Sequence, residues 1–336
     1  MKVKKLMAAM LAGSMVMALT ACGGDTQGNQ SADNGGSTAE GDGNYKVSVI
    51  LKTTASEYWG YVKAGAEAYQ KDNPNVTVEV KGASSETAYD EQLAMIETDM
   101  NATYDGYVIA PLNADMVKTV IAGKTKPIVA VDTDIDAPEV KSFVGTGNEA
   151  AGKQGGMAAV EAAKAAGWTD IKAIEICGVQ GDATNEARKA GYKAGIEEAG
   201  GTFLDADTQY ADATADRAVT AMEAIMQKYP EGIAIICANN DDMAMAAALA
   251  AKSNPNYAKT VFLGFDGIQS ACNAILNGEL TMSVAQEGYN MGYESVKTVV
   301  ECLQGQTPKE FIDSGASVVD KSNAQERLDT LKGYLA

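Results

Sequence analysis

From Lys46 onward, short runs of β-branched and other apolar residues alternate with longer amphipathic segments, and this alternation limits the folds open to the chain. Strands separated by helices at this spacing are typical of βαβ units, whose strands pair in parallel. The run at 233–237, Ile-Ala-Ile-Ile-Cys, is apolar on both faces, as a strand covered by helices on both sides must be. The sequence therefore predicts an α/β protein built on parallel sheets.

The same pattern predicts two lobes. The series is too long for one small sheet, and about 290 ordered residues suggest two domains by length alone. Its first half ends near Val144 and a second half starts near Gly147, so we expect two Rossmann-like, doubly wound lobes. The predicted strands are 47–51, 76–80, 106–109, 127–131, 142–144, 171–177, 233–237, 260–265 and 281–284. The predicted helices include 58–71, 87–100, 149–166, 187–199, 217–228, 243–251 and 269–276.

The N-terminal segment indicates export. Three lysines within the first five residues precede an apolar run at 6–18, which is shorter than the roughly 20 residues that span a bilayer. The run leads into Leu-Thr-Ala-Cys at Cys22, which resembles the bacterial lipobox, where the cysteine becomes the new N-terminus and carries a lipid. An ordinary signal peptide that contains a cysteine is the alternative. Residues 1–21 are thus a predicted signal peptide, and the Gly-, Ser- and Asn-rich residues 22–44 a predicted flexible linker.

Composition excludes several classes of function. The net charge of −18 disfavours nucleic acid as a partner. The chain has no histidine, which removes the commonest general base and metal ligand, and its cysteines form no C-x-x-C. We therefore expect no metal, no cofactor and no enzymatic activity. Cys177 and Cys237 end apolar runs and are predicted to be buried, while the pairing of the four cysteines after Cys22 stays open.

Candidate site residues follow from one rule. In open α/β sheets, ligands bind outside the carboxyl ends of the strands. The residues after the predicted strands are carboxylates, amides and two adjacent aromatics, with very few cations. Carboxylates and amides hydrogen-bond hydroxyl groups, and aromatic faces cover the apolar side of a sugar ring. The rule selects a larger set, which also includes Lys52, Asp182 and Asn239. Within this set, the predicted ligand contacts are Ser56, Tyr58, Trp59, Asp132, Asn185, Glu186, Asn240, Asp266 and Gln286.

Residues 240–244 read Asn-Asp-x-Met-Ala, and Gly-Phe-Asp-Gly follows at 264–267. With this pair, residues 45–320 resemble the type I periplasmic binding proteins, in the ribose and galactose branch of ABC-transporter solute-binding proteins. Further matching segments are 47–51 with Tyr58-Trp59, Ala110-Pro111, Val131-Asp132, 145–148 and Ala285-Gln286.

The resemblance implies a fold, a function and partners. It implies a first lobe of residues 45–147 and 287–314 and a second lobe of residues 148–286 and 315–336, joined by a hinge. It implies a monomeric, extracytoplasmic protein that closes on a monosaccharide or related polyol and delivers it to the permease subunits of an ABC importer. Lipid on Cys22 would hold the protein at the cell membrane.

The resemblance also implies individual roles. Tyr58 and Trp59 stand where paired aromatics stack on the sugar. Ser56 stands where an asparagine usually bonds a hydroxyl, and Asp132 takes a hydroxyl from the first-lobe side. The second-lobe and hinge contacts match Asn240, Asp266 and Gln286.

Departures from the family pattern leave the identity of the ligand undetermined. Thr133 and Glu186 stand where the family has arginines, Ala110 replaces an asparagine, and residues 213–215 lack an aromatic. We therefore expect a site short of cations and of one stacking surface. Glu186 together with Asp132 and Asp266 would suit a ligand with a positive charge.

Each interpretation has an alternative. Tyr58 and Trp59 fit core packing at a helix start, Asp266 fits a tight Asp-Gly turn, and Asn240 fits a helix cap. Lys52, after the first strand, fits either the site or a solvent-facing position. At the level of function, the alternative to transport is a sensor that presents its closed form to a membrane receptor kinase or chemoreceptor.

Overall fold

The computed structural model describes residues 43–335. The predicted signal peptide, Cys22 and the predicted linker up to residue 42 lie outside the described residues. No helix in the described part of the chain is long and apolar enough to cross a membrane.

Strands and helices alternate as predicted, and every predicted strand has an observed counterpart. The strands are β1 (Tyr45–Thr53), β2 (Val76–Ala83), β3 (Gly106–Ile109), β4 (Ile128–Val131), β5 (Val140–Gly145), β6 (Lys172–Cys177), β7 (Thr202–Phe203), β8 (Gln209–Tyr210), β9 (Ile235–Ala238), β10 (Val261–Asp266), β11 (Met282–Gln286), β12 (Phe311–Asp313) and β13 (Ala316–Val319). The helices are α1 (Glu57–Asp72), α2 (Tyr89–Met100), α3 (Ala114–Ile121), α4 (Asn148–Ala165), α5 (Ala183–Glu198), α6 (Ala215–Lys228), α7 (Asp241–Ala251), α8 (Gln269–Asn277), α9 (Gly288–Leu303) and α10 (Ala324–Tyr334).

The strands form two sheets, one in each lobe. The first has six strands in the order β12-β5-β4-β3-β1-β2, all parallel. The second has seven strands, in the order β13-β11-β10-β9-β6-β7 with β8 beside β6, and only β13 is antiparallel. This confirms the predicted α/β fold with two parallel-sheet lobes.

Both faces of each sheet are covered. Helices α1 and α9 pack on one face of the first sheet and α2 and α3 on the other, while α4 and α5 lie opposite α6 and α7 on the second. On β1, Val49 and Leu51 enter one core and Ile50 enters the other, and all three are fully buried. Apolar residues on both faces of a strand are the signature of this sandwiching. Cys177 and Cys237 are fully buried, as predicted, and all four described cysteines are free thiols.

Two element boundaries differ from prediction in ways that affect the site. Strand β2 runs to Ala83, because its polar end, with no apolar signal, still pairs with β1 as far as Thr53. Helix α5 begins at Ala183, four residues earlier than predicted, because the Asp182 side chain accepts a hydrogen bond from the Asn185 N–H and caps a polar first turn.

Helices α1 and α9 approach each other closely. A Cβ atom on Gly65 would lie 1.9 Å from the Tyr289 carbonyl oxygen, and one on Gly292 would lie 1.9 Å from the Val62 carbonyl oxygen. Neither position tolerates a side chain at this separation, so the two glycines set how near the backbones come. The contact fixes α1, whose first turn carries Tyr58 and Trp59, against the first lobe.

The chain passes between the two sheets three times. It crosses after β5, after β11 and between β12 and β13. These crossings bring residues that follow strands of both sheets to a common cavity.

Candidate functional site

A cavity lies between the carboxyl ends of the two sheets. The walls are in direct contact, and the volume enclosed is about 30 Å³, close to the share of one water molecule in the liquid. Two larger surface grooves, of about 680 and 790 Å³, occur elsewhere among the described residues. The small cavity is the candidate site because charged and polar side chains converge on it. Its lining residues are Lys52, Ser56, Tyr58, Trp59, Glu86, Asp132, Thr184, Asn185, Arg188, Ala213, Asn239, Asn240 and Asp266.

The first-lobe wall is built around two aromatic rings at the start of α1. The rings of Tyr58 and Trp59 meet edge to face, with centroids 5.1 Å apart and planes at 71°. The Tyr58 hydroxyl donates to Asp132 Oδ2 at 3.0 Å, and Trp59 Nε1 donates to Glu86 Oε1 at 3.1 Å. Each aromatic is therefore oriented by a carboxylate that lines the same cavity.

Asp132 sits on an unusual backbone. It follows β4 directly, and its φ of 65° lies in the left-handed region that few non-glycine residues adopt. Aspartate tolerates this region better than most residues because its short polar side chain bonds locally. The turn places the carboxylate in the cavity beside Tyr58.

Lys52 reaches across the cavity from β1. Its ammonium lies 2.7 Å from Asp182 Oδ2 of the second lobe and 4.0 Å from Asp132 Oδ1, with its side chain 5% exposed. Burial alone would lower the pKa of Lys52, but the carboxylates of Asp182 and Asp132 outweigh it and the pKa is raised. Burial likewise acts to raise the pKa of Asp182, yet the Lys52 ammonium holds it below its ordinary value. Both groups are charged at neutral pH.

Arg188 supplies a second cation, on the second-lobe wall. Its Nε donates to Asn148 Oδ1 and its Nη1 to the Asn239 carbonyl oxygen, both at 2.8 Å. The guanidinium stacks on Phe265, 3.8 Å from the ring centroid, and Nη1 lies 3.9 Å from Asp266 Oδ1. Stacking and two charged hydrogen bonds fix the guanidinium in one orientation.

Asp266 ends β10 with a φ of 118°, a strained value for a residue with a side chain. Gln286 Nε2 donates to Asp266 Oδ1 at 2.7 Å, so Gln286 lies behind Asp266 and is not among the residues that line the cavity. Burial raises the pKa of Asp266 well above its ordinary value, although Arg188 opposes the shift. Beneath it, burial raises the pKa of Asp241 to about 7.

Asn239 and Asn240 follow β9 and have separate roles. Asn240 Oδ1 accepts from the Met243 N–H at 2.8 Å, so this residue both caps α7 and lines the cavity. Asn239 Nδ2 donates to Glu175, a fully buried carboxyl whose pKa burial raises well above its ordinary value. Asn239 thus connects Arg188 to a buried group under the cavity.

Seven of the nine predicted contacts come together, and Glu186 and Gln286 do not line the cavity. Ser56, Tyr58, Trp59, Asp132, Asn185, Asn240 and Asp266 line the cavity. Glu186 does not, because it is the fourth residue of α5 and its Oε1 accepts from the Tyr210 hydroxyl and the Gly181 N–H. The expectation of a site short of cations is wrong, since both Lys52 and Arg188 line it.

Sequence reasoning missed Glu86, Thr184, Arg188 and Ala213, which also line the cavity. Glu86 comes three residues after the true end of β2, so a correct boundary with the strand-end rule would have selected it. Arg188 lies in the second turn of α5, and side chains on a helix lean toward its N-terminus, here toward the cavity. Among the described residues, no group of acidic, cysteine or histidine side chains could hold a metal ion.

Comparison with known proteins identifies the family of this chain. Residues 47–307 match the model of the periplasmic binding protein domain family. The D-allose-binding periplasmic protein of Escherichia coli K12 is 31% identical over 266 residues, which span 76% of this chain and 84% of that protein. The ribose import binding protein of Bacillus subtilis is 24% identical over 314 residues, which span 93% of this chain and 97% of that protein.

Solved structures share the fold. An ABC-transporter solute-binding protein from Agrobacterium vitis with bound D-fucose has a TM-score of 0.76 at 25% identity, covering 85% of this chain and 98% of its own. A carbohydrate transporter solute-binding protein from Agrobacterium radiobacter in complex with D-arabinose has a TM-score of 0.78 at 26% identity, covering 87% and 99%. The chain belongs to the periplasmic binding protein family, whose members are extracytoplasmic solute-binding proteins and not enzymes.

Proposed function

We propose that this chain binds a monosaccharide between its two lobes and delivers it to the membrane subunits of an ABC importer. One observation carries the proposal: seven residues selected from strand ends line a single interlobe cavity together with Lys52 and Arg188. The relatives named above bind allose and ribose, and their names favour transport over the sensing alternative.

The lining chemistry suits a sugar. The rings of Tyr58 and Trp59 offer apolar surface for the C–H face of a pyranose or furanose. Asp132 and Asp266 accept hydrogen bonds from hydroxyl groups, and the two cations donate to them. A buried polar group left without a partner is costly, so such a site rejects a sugar that lacks the matching hydroxyl. Ser56, Asn185 and Asn240 complete the proposed set of contacts on the strength of their positions, and Gln286 orients Asp266 from behind.

Ligand entry requires the lobes to separate. A cavity of about 30 Å³ cannot hold a monosaccharide, so the direct contacts between the walls must break before the sugar enters. We propose that residues 45–147 with 287–314 and residues 148–286 with 315–336 rotate as two bodies about the three crossings. Residue 336 lies outside the described residues.

We also propose that the chain is exported and held at the cell membrane by lipid on Cys22, and that it acts as a monomer. The sequence Leu-Thr-Ala-Cys supports the anchor. Mass spectrometry of the protein from native membranes should find the mature N-terminus at Cys22 with acyl chains. Recovery of an unmodified N-terminus elsewhere would contradict the anchor.

The binding proposal is tested by calorimetry and thermal unfolding with D-allose, D-ribose, D-fucose and D-arabinose, the sugars of the similar proteins named above, and with xylitol as a polyol. A true ligand at 100 times its Kd should add about 2.7 kcal/mol to the free energy of unfolding. The matched control is Asp266→Gly, which removes the carboxylate while glycine accepts the φ of 118°. It should weaken binding by roughly 100-fold, while relief of the strained φ offsets part of the cost of leaving Gln286 Nε2 without its acceptor.

Absence of binding for every sugar and polyol tested would contradict the proposal. Deletion of the gene separates transport from sensing. Loss of uptake of the bound sugar supports transport, whereas intact uptake with a lost response to that sugar supports the sensor.

A further inference from the structure

Helix α8, in the second lobe, begins without a cap of its own. Its N-cap residue is Ile268, whose side chain cannot accept a hydrogen bond from the first-turn amides. The first four N–H groups of a helix have no partner within the helix and need one from elsewhere. The Ile268 N–H bonds to Asp241 Oδ2 of the same lobe at 3.0 Å. The next amide, that of Gln269, has no acceptor within its own lobe among the hydrogen bonds of the described residues.

Glu57 of the first lobe supplies the missing acceptor. The Gln269 N–H donates to Glu57 Oε1 at 2.8 Å, and the Ser270 hydroxyl donates to Glu57 Oε2. Glu57 is the first residue of α1 and belongs to the other sheet's lobe. A carboxylate at this position bonds the free amide and also interacts favourably with the positive end of the helix dipole.

The hydroxyl of Tyr61 orients the Glu57 carboxylate. Tyr61, one turn further along α1 and 3% exposed, donates its hydroxyl to Glu57 Oε1 at 2.7 Å. The same hydroxyl oxygen lies 3.4 Å from the Gln269 nitrogen. Burial raises the pKa of the Tyr61 hydroxyl, and Glu57 adds to the shift, so the hydroxyl remains a donor at neutral pH. The contact thus combines the side chains of Glu57, Tyr61 and Ser270 with the backbone amide of Gln269.

We propose that Glu57 is an interlobe cap: a positioning residue that sets ligand affinity by stabilising the closed arrangement, without touching the ligand. Glu57 is not among the residues that line the cavity. Separation of the lobes would take α1 away from α8, leaving the Gln269 amide and the Ser270 hydroxyl to water. The closed arrangement therefore gains hydrogen bonds that the open one lacks, and a ligand that binds the closed form gains affinity accordingly. This inference rests on the proposed function only in assuming that the lobes separate.

The first test needs no ligand. Hydrogen exchange of the α8 first turn and the radius of gyration in solution are measured for the wild type, Glu57→Gln and Glu57→Ala. We expect about tenfold faster exchange at Gln269 in Glu57→Ala together with a larger radius of gyration, and an intermediate effect in Glu57→Gln, which keeps one acceptor. Unchanged exchange at Gln269 would overturn the cap. Faster exchange with an unchanged radius would overturn its role in closure.

The second test uses D-allose as the probe. Glu57→Ala should weaken binding by about tenfold, since one charge-assisted capping contact of about 1.4 kcal/mol is lost from the closed form. The control is Glu67→Ala on the exposed side of α1, where Glu67 only pairs with Lys63 at 3.7 Å. It should leave both exchange and affinity unchanged, and equal effects of the two substitutions would overturn the proposal. If the wild type does not bind D-allose or another sugar, the proposed function fails, while the ligand-free measurements still decide the cap.

Discussion

The two cations of the cavity are held in opposite ways. Arg188 is fixed entirely by its own lobe, through hydrogen bonds to Asn148 and Asn239 and stacking on Phe265. Lys52 belongs to the first lobe, but its 2.7 Å ion pair is with Asp182 of the second. One cation therefore keeps its partners whether the lobes are together or apart, and the other has this partner only when they meet.

This difference shows that the two walls of the cavity are preorganised for ligand binding to different degrees. The second-lobe wall is preorganised, so its groups lose little freedom when a ligand binds. On the first-lobe wall, Lys52 would exchange Asp182 for ligand or water if the lobes separate as proposed. Substitutions on the two walls should then affect stability and affinity in different proportions.

The largest effect is expected from Arg188→Met. Removal of the guanidinium leaves the Asn148 side-chain oxygen and the Asn239 carbonyl oxygen unpaired in a buried site and takes the nearby cation from Asp266. The free energy of unfolding should therefore fall by about 3 kcal/mol. Sugar binding should weaken by roughly 100-fold or more. Urea unfolding and calorimetry measure the two quantities, with Arg217→Met, at an exposed arginine of the same lobe, as the control. A full loss of affinity with wild-type stability would contradict the claim that Arg188 is held by buried partners of its own lobe.

A smaller effect, confined to affinity, is expected from Lys52→Met. Asp182 would lose its cation, but opening of the lobes lets water reach it, and it keeps the Asn185 N–H as a donor. The free energy of unfolding should therefore change by less than about 1 kcal/mol, while affinity for the sugar falls about tenfold. Lys63→Met, on the exposed face of α1, is the control. A loss of stability as large as that of Arg188→Met would show that Lys52 is also held within its own lobe.

The smallest effect is expected from Glu186→Gln. This side chain bonds Tyr210 and Gly181 outside the cavity. The substitution keeps an acceptor, so stability should change by no more than about 0.5 kcal/mol and affinity by about twofold at most. Titration calorimetry with the same sugar checks this. A tenfold change would mean that Glu186 reaches the ligand after all, and the second-lobe wall would be wider than described.

The sequence was sufficient for the fold and for most of the cavity. Apolar runs located nine of the 13 described strands and missed β7, β8, β12 and β13. The strand-end rule selected Trp59, Asp132 and Asp266, because parallel strands bring their carboxyl ends to one edge. Glu86 was missed because the end of β2 is polar and carries no apolar signal. The position of Glu86 after the strand is clear only from the pairing of β2 with β1 as far as Ala83.

Contacts between distant side chains had no sequence signal. Arg188 lies on a helix whose polar first turn hid its start, so nothing in the periodicity indicated that its side chain points to the cavity. Glu57 and Gln269 are 212 residues apart and on different lobes. Their contact depends on how the two lobes meet, which local pattern does not encode.

The close approach of α1 and α9 at Gly65 and Gly292 has a mechanical consequence. Helix α9 starts immediately after the crossing that follows β11, and α1 carries the aromatic pair and Glu57 at its first turn. Because the backbones are in direct contact at these glycines, we expect the two helices to move as one rigid unit. If the lobes rotate about that crossing as proposed, the aromatic rings and Glu57 would move together, so contact with the sugar and the interlobe cap would form in the same step.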